Sequence, residues 1–118
     1  MRVRQALAGI GVTAVMLVGT TLPAMAVTYL EVPGAAAKFE GYFDRITLFD
    51  IACDDDSVYT EWKTEGGDTI KVANTSGCGT SRWVDIPMAN NTKIWFRVCV
   101  DKSWPTYDKC STWDWDIV

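Results

Sequence analysis

The sequence contains no histidine. That removes the usual general base at neutral pH, the usual nucleophile triads and a common zinc ligand. It has no Cys-x-x-Cys pair either, so no structural zinc site is expected. Basic residues are in the minority: 11 Lys and Arg stand against 15 Asp and Glu, a formal net charge of −4. Beyond residue 26 no apolar stripe recurs with the period of a helix, so no helix longer than about three turns is expected there. There is no internal repeat and no low-complexity segment.

The first 26 residues are of a different kind. Arg2 and Arg4 make a short basic start, Ala6 to Leu22 is uncharged and mostly apolar, and Ala24-Met25-Ala26 follows. This is the pattern of a secretory signal peptide cut after Ala26. Gly9, Gly11 and Gly19 weaken the run as a membrane-spanning helix. Residues 27–118 then form one exported domain with nine basic and fifteen acidic residues, a net charge of −6. Such a surface repels the phosphate backbone of nucleic acid, and anionic membranes for the same reason. The expected location is therefore extracellular, with no membrane attachment after cleavage. No cofactor is expected. In that compartment the four cysteines, Cys53, Cys78, Cys99 and Cys110, read as two disulfides.

Short stretches rich in β-branched and aromatic residues succeed one another through the domain. They run over Val27–Val32, Arg45–Cys53, Ser57–Lys63, Asp68–Ala73, Ser81–Met88, Thr92–Val100 and Ser111–Val118. Pro33-Gly34, Gly66-Gly67-Asp68 and Asn90-Asn91 punctuate them as turns. Ala35–Phe39, alanine-rich, fits a helical turn or a loop. The pattern predicts an all-β fold, a small disulfide-stapled sandwich.

Thr92–Val100 alternates most clearly: Ile94, Phe96, Val98 and Val100 share one face, Trp95, Arg97 and Cys99 the other. If the aliphatic row faces the core, Cys99 faces away and is free to meet Cys110, at the start of the next strand. Cys53 then pairs with Cys78, held between Gly77 and Gly79. The rival, Cys53–Cys99 with Cys78–Cys110, would turn Arg97 inward, where an unpaired charge costs several kcal/mol.

The segments IACDDDSVYTEW, SGCGT and FRVCV, with CSTW after the loop, resemble small exported actinobacterial proteins with two disulfides. That resemblance implies an immunoglobulin- or fibronectin-III-like sandwich and an extracellular location. It implies no activity and assigns no functional residue.

No constellation of catalytic residues is apparent, and the domain is expected to be non-enzymatic. Asp54-Asp55-Asp56 lacks the glycine and distal glutamate of a calcium loop and reads as a solvated turn, so no metal site is expected. The tryptophans are the anomaly, six in all. Trp62, Trp113 and Trp115 fall in phase with apolar neighbours and are expected in the core. Trp83 and Trp95 lie opposite their strands' aliphatic rows, and Trp104 and Tyr107 lie in the loop closed by Cys99 and Cys110. These four are the candidate contact residues for an unidentified protein or carbohydrate, including cell wall. A second possibility is a secreted inhibitor of an extracellular hydrolase, inserting the loop from Val100 to Lys109 with Lys102 and Pro105 exposed. Non-reducing peptide mapping tests the strand phase. Peptides linking Cys53 to Cys78 and Cys99 to Cys110 are expected, and a peptide linking Cys53 to Cys99 contradicts the phase.

Overall fold

The computed structural model describes residues 27–118; the expected signal peptide, residues 1–26, lies outside the described residues. Nine strands follow in order: β1 Val27–Val32, β2 Ala35–Glu40, β3 Arg45–Asp50, β4 Ser57–Thr64, β5 Ile70–Asn74, β6 Ser81–Asp85, β7 Lys93–Asp101, β8 Lys109–Cys110 and β9 Asp114–Ile117. No helix occurs among the described residues. One sheet has the order β1-β2-β3-β6. The other has the order β9-β7-β4-β5, with the short β8 also pairing β7. Every pairing is antiparallel. The two sheets pack face to face as a β-sandwich.

The core is the set of inward positions on both sheets. Phe39, Ile46 and Leu48 of the first sheet meet Val58, Trp62, Ile94, Phe96, Val98 and Val100 of the second. At the centre the Phe39 and Phe96 rings lie 6.2 Å apart and tilted, a favourable aromatic geometry. Leu30, Val32, Val72, Met88 and Val118 close the ends of this layer. Thr60 is the inward polar exception on β4, and its hydroxyl is satisfied by donating to the carbonyl of Arg97 at 2.8 Å, whereas the buried Trp62 Nε1 has no hydrogen-bond partner among the described residues.

The alanine-rich Ala35–Phe39 is neither a helical turn nor a loop but most of strand β2. It pairs on both sides, Ala37 opposite Leu30 on β1 and Leu48 on β3. Alanine has low intrinsic strand preference, and pairing on both edges overrides it. The turn before it needs glycine: Gly34 has φ +100°, and a Cβ there would meet Val100 at 3.4 Å.

Strand β9 has the opposite phase to the one the sequence suggests. Its register sets Trp115 across from Trp95, on the outer face. Asp116 therefore points inward and is buried, while Ile117 is turned out. The buried carboxylate is satisfied: Thr28 of β1 donates its hydroxyl at 2.6 Å, and the Ile117 amide donates at 2.7 Å. That contact ties the first strand of one sheet to the last strand of the other.

Both bridges, Cys53–Cys78 and Cys99–Cys110, are formed. The first ties the chain just after β3 to the glycine loop before β6. The second crosses from β7 to β8, where the two cysteines are register partners. On a chain-entropy account each contributes roughly 3 kcal/mol. Phe96→Ala, which empties the centre of the core, is expected to lower stability by about 3–5 kcal/mol in urea denaturation. A loss under about 1 kcal/mol would show that Phe96 does not face the core.

Candidate functional site

Alternation along β4, β5, β7 and β9 puts a second set of side chains on the outside of the β9-β7-β4-β5 sheet. Register aligns them in rows. Tyr59 is opposite Cys99, Glu61 lies between Lys71 and Arg97, and Trp95 lies between Lys63 and Trp115. This face carries rings and cations, with few aliphatic side chains.

The two kinds interleave. Lys71 Nζ stands 4.1 Å from the centre of the Tyr59 ring. Trp113 has Lys63 Nζ at 4.4 Å and the Arg97 guanidinium at 4.8 Å. Lys93 Nζ is shared by Trp95 at 4.5 Å and Trp115 at 4.4 Å. Each such contact contributes on the order of 0.5–1 kcal/mol where water has access. Arg97 also forms a cross-strand ion pair with Glu61 at 2.7 Å. Trp113 and Trp115 are accordingly half-buried under cations on the outer surface and not in the core. Their apolar alternation arises from this ring-and-cation surface.

The face holds two clefts. One, of about 490 Å³, lies between Trp95, Trp113 and Lys63 and the Gly66-Gly67 turn. The other, of about 680 Å³, lies between Tyr59 and Arg97 on the sheet and Trp104 and Tyr107 on the loop. Both are shallow and open to solvent.

The loop that carries Trp104 and Tyr107 is clamped at its base. Cys99–Cys110 closes it. Asp108 accepts from the Tyr59 hydroxyl at 2.5 Å and from the Lys102 amide at 2.9 Å. Lys102 Nζ pairs with Asp56 at 2.9 Å, so Lys102 lies back against the protein and does not project from the loop. The tip is Trp104-Pro105-Thr106-Tyr107, and its two rings are 92% and 90% exposed. A hydrogen bond from Tyr59 holds the Asp108 carboxyl below the ordinary carboxylate range, helped by the Lys102 amide and by Lys71. Burial, with the same bond to Asp108, raises the Tyr59 hydroxyl well above its usual value.

The four candidate residues do not share one surface. Trp95, Trp104 and Tyr107 border the outer face of the β9-β7-β4-β5 sheet. Trp83 is on β6, on the outside of the opposite sheet, where Arg45 stacks over its ring at 3.9 Å and over Phe43 at 4.3 Å. A ligand lying across Trp95 cannot also touch Trp83. Trp113 and Trp115 belong to the candidate face and were missed. The signal was present as the matching surplus of lysine and arginine at Lys63, Lys93 and Arg97, residues that cap exposed rings.

Asp54, Asp55 and Asp56 form no cage. Asp54 accepts the Asp56 amide at 3.0 Å, and Asp56 faces Lys102. Among the described residues no cluster of three acidic or cysteine side chains is arranged to hold a metal ion, and no helix is long and apolar enough to cross a membrane. The chain matches no protein family, and no characterised protein or solved structure is detectably similar to it.

The Asp108 clamp makes a signed prediction. A carboxyl whose folded pKa is depressed contributes stability above its unfolded value of about 4 and loses that contribution as pH falls through the folded value. Asp108→Asn is expected to lower the melting temperature at pH 7, and the difference from wild type is expected to shrink towards pH 2. A difference that stays constant over that range would show that Asp108 makes no charge-assisted bond.

Proposed function

We propose that this chain is a secreted, non-enzymatic binding module that holds a polysaccharide, such as a cell-wall glycan, against the outer face of the β9-β7-β4-β5 sheet. The observation that carries the reading is the loop tip. Two large rings, Trp104 and Tyr107, stand almost fully in water, on a loop tied down by a disulfide, a hydrogen-bonded carboxylate and an ion pair. Exposed rings of this size gain little where they are. Fixed in place, they lose little entropy on binding, which favours stacking on a ligand.

Export is supported by the two disulfides and by the pattern of the first 26 residues. A non-enzymatic role is supported by the chemistry of the face: two of its acids, Glu61 and Asp108, are committed to Arg97 and Tyr59, and the sequence has no histidine to act as a base beside them.

The second reading, an inhibitor of an extracellular hydrolase, draws on the same clamped loop. With Lys102 held to Asp56, the inserting residues would be Trp104 and Tyr107, directed at a pocket for aromatic side chains and not at one for a basic side chain.

Retention on insoluble cell wall, chitin and cellulose tests the first reading. Wild type is expected to bind at least one of them, and Trp104→Ala with Tyr107→Ala is expected to weaken binding by tenfold or more, the size of an interface hot spot. No retention on any matrix, with tryptophan fluorescence unchanged by soluble glycans, contradicts it. Inhibition of a chymotrypsin-like activity lost in the same variant would establish the second reading instead.

A further inference from the structure

Charge is distributed unevenly over the domain. Residues 27–118 carry an excess of six acidic groups, yet Lys63, Lys71, Lys93 and Arg97 all stand on the outer face of the β9-β7-β4-β5 sheet. Between the rows of Lys93 and Cys99, Glu61 is the one acid at an outward strand position, and Arg97 holds it. Glu65 lies beyond the strand, at the rim of the Trp95 cleft.

Arg97 is held by Glu61, and Lys71, over the Tyr59 ring, stands within electrostatic reach of the Asp108 carboxylate; Lys63 and Lys93 have no such acid. Among the described residues neither forms an ion pair. Each ammonium is held over aromatic rings, Lys63 over Trp113 and Lys93 between Trp95 and Trp115. A ring attracts the charge but offers no acceptor oxygen, so the three N–H donors of each ammonium are left to water.

This arrangement selects a class of sugar. A neutral glycan stacks on a free ring face, but the rings at the centre of this face lie under cations. It would have to displace Lys63 and Lys93 and gain nothing from their charge. A glycan carrying anionic groups meets two ammoniums already positioned, and pays little to order them. Its sugar rings can still stack on Trp104 and Tyr107, which no cation covers among the described residues. The domain's net negative charge does not forbid this, because beyond about 8 Å it is screened at physiological ionic strength.

We infer that the ligand is an acidic polysaccharide, one whose sugars bear carboxylate or sulfate groups, and that Lys63 and Lys93 bind those groups. This inference rests on the reading of the face as a glycan-binding surface. Single-stranded nucleic acid also suits rings interleaved with cations, but among the described residues only three cations of this face lack an ion-pair partner, and the acidic remainder of the domain opposes a polyphosphate.

The test titrates the purified protein with polygalacturonate, dextran sulfate, neutral dextran and an oligo-thymidylate at one fixed ionic strength. Binding to polygalacturonate, to dextran sulfate or to both is expected, at least tenfold tighter than to dextran and weakened by added salt. Which polyanion binds tells whether carboxylate or sulfate is recognised. The double variant Lys63→Gln, Lys93→Gln is expected to lose tenfold or more of that affinity. Lys63→Arg with Lys93→Arg is expected to retain most of it, and Lys38→Gln, on the opposite sheet, all of it. The melting temperature of each variant separates lost binding from lost folding. Dextran bound as tightly as the polyanions, through Trp104 and Tyr107, overturns the inference and leaves the glycan-binding reading standing. No binding to any glycan overturns both. Tighter binding to the oligo-thymidylate than to either polyanion, or unchanged binding in a folded glutamine variant, overturns the inference as well.

Discussion

The phase of strand β7 fixes most of the rest. With Ile94, Phe96, Val98 and Val100 turned inward, each fully or almost fully buried, the strand supplies one wall of the core. The same alternation then forces Lys93, Trp95, Arg97 and Cys99 outward together. Reversing it would bury a guanidinium and an ammonium against Phe39 and Leu48 at a cost of several kcal/mol for each ion. That difference is comparable to the whole stability of a domain of this size, so the phase is not negotiable, and a one-residue slip is excluded.

The outward set follows from that constraint. Cys99 meets Cys110 on the surface side, and the bridge closes a loop with its two rings in water. Arg97 meets Glu61 across the strand pair, and Trp95 meets Trp115. Lys63 and Lys93 reach sideways over the neighbouring rings. A small sandwich needs few charges to remain in solution, and these could have been scattered. They are instead grouped on one face with four of its aromatic residues, Tyr59, Trp95, Trp113 and Trp115. The other outer face has its own pairing, with Arg45 between Phe43 and Trp83 and joined to Glu40 at 3.2 Å.

What the sequence made legible was whatever one strand decides by itself. The alternation of Ile94 to Val100 was enough to orient Cys99, and so to choose among three disulfide connectivities. The all-β class followed from short alternating segments with turn residues between them. What stayed hidden depended on partners. Ala35–Glu40 is a strand because β1 and β3 flank it, which three alanines in a row do not announce. In Ser111–Val118 the tryptophans alternate with aspartates, and hydrophobicity alone places the rings inside. Register with β7 decides otherwise, and Thr28, 88 residues away in the chain, makes the buried Asp116 tolerable. Lys102 could not be seen to fold back, because its partner Asp56 lies on a different loop. The candidate face was thus only half readable: Trp95 came from its own strand, whereas Trp113 and Trp115 needed the pairing.

The six indole N–H groups report separately on each part of the account, and their NMR signals during titration with short oligogalacturonates are its most direct test. The account predicts that Trp95, Trp104 and Trp113 shift in proportion to bound ligand, while the core Trp62 and the opposite-face Trp83 stay in place. Shifts confined to Trp83, or the absence of any shift at Trp95 and Trp113 when the oligosaccharide is bound, would contradict it.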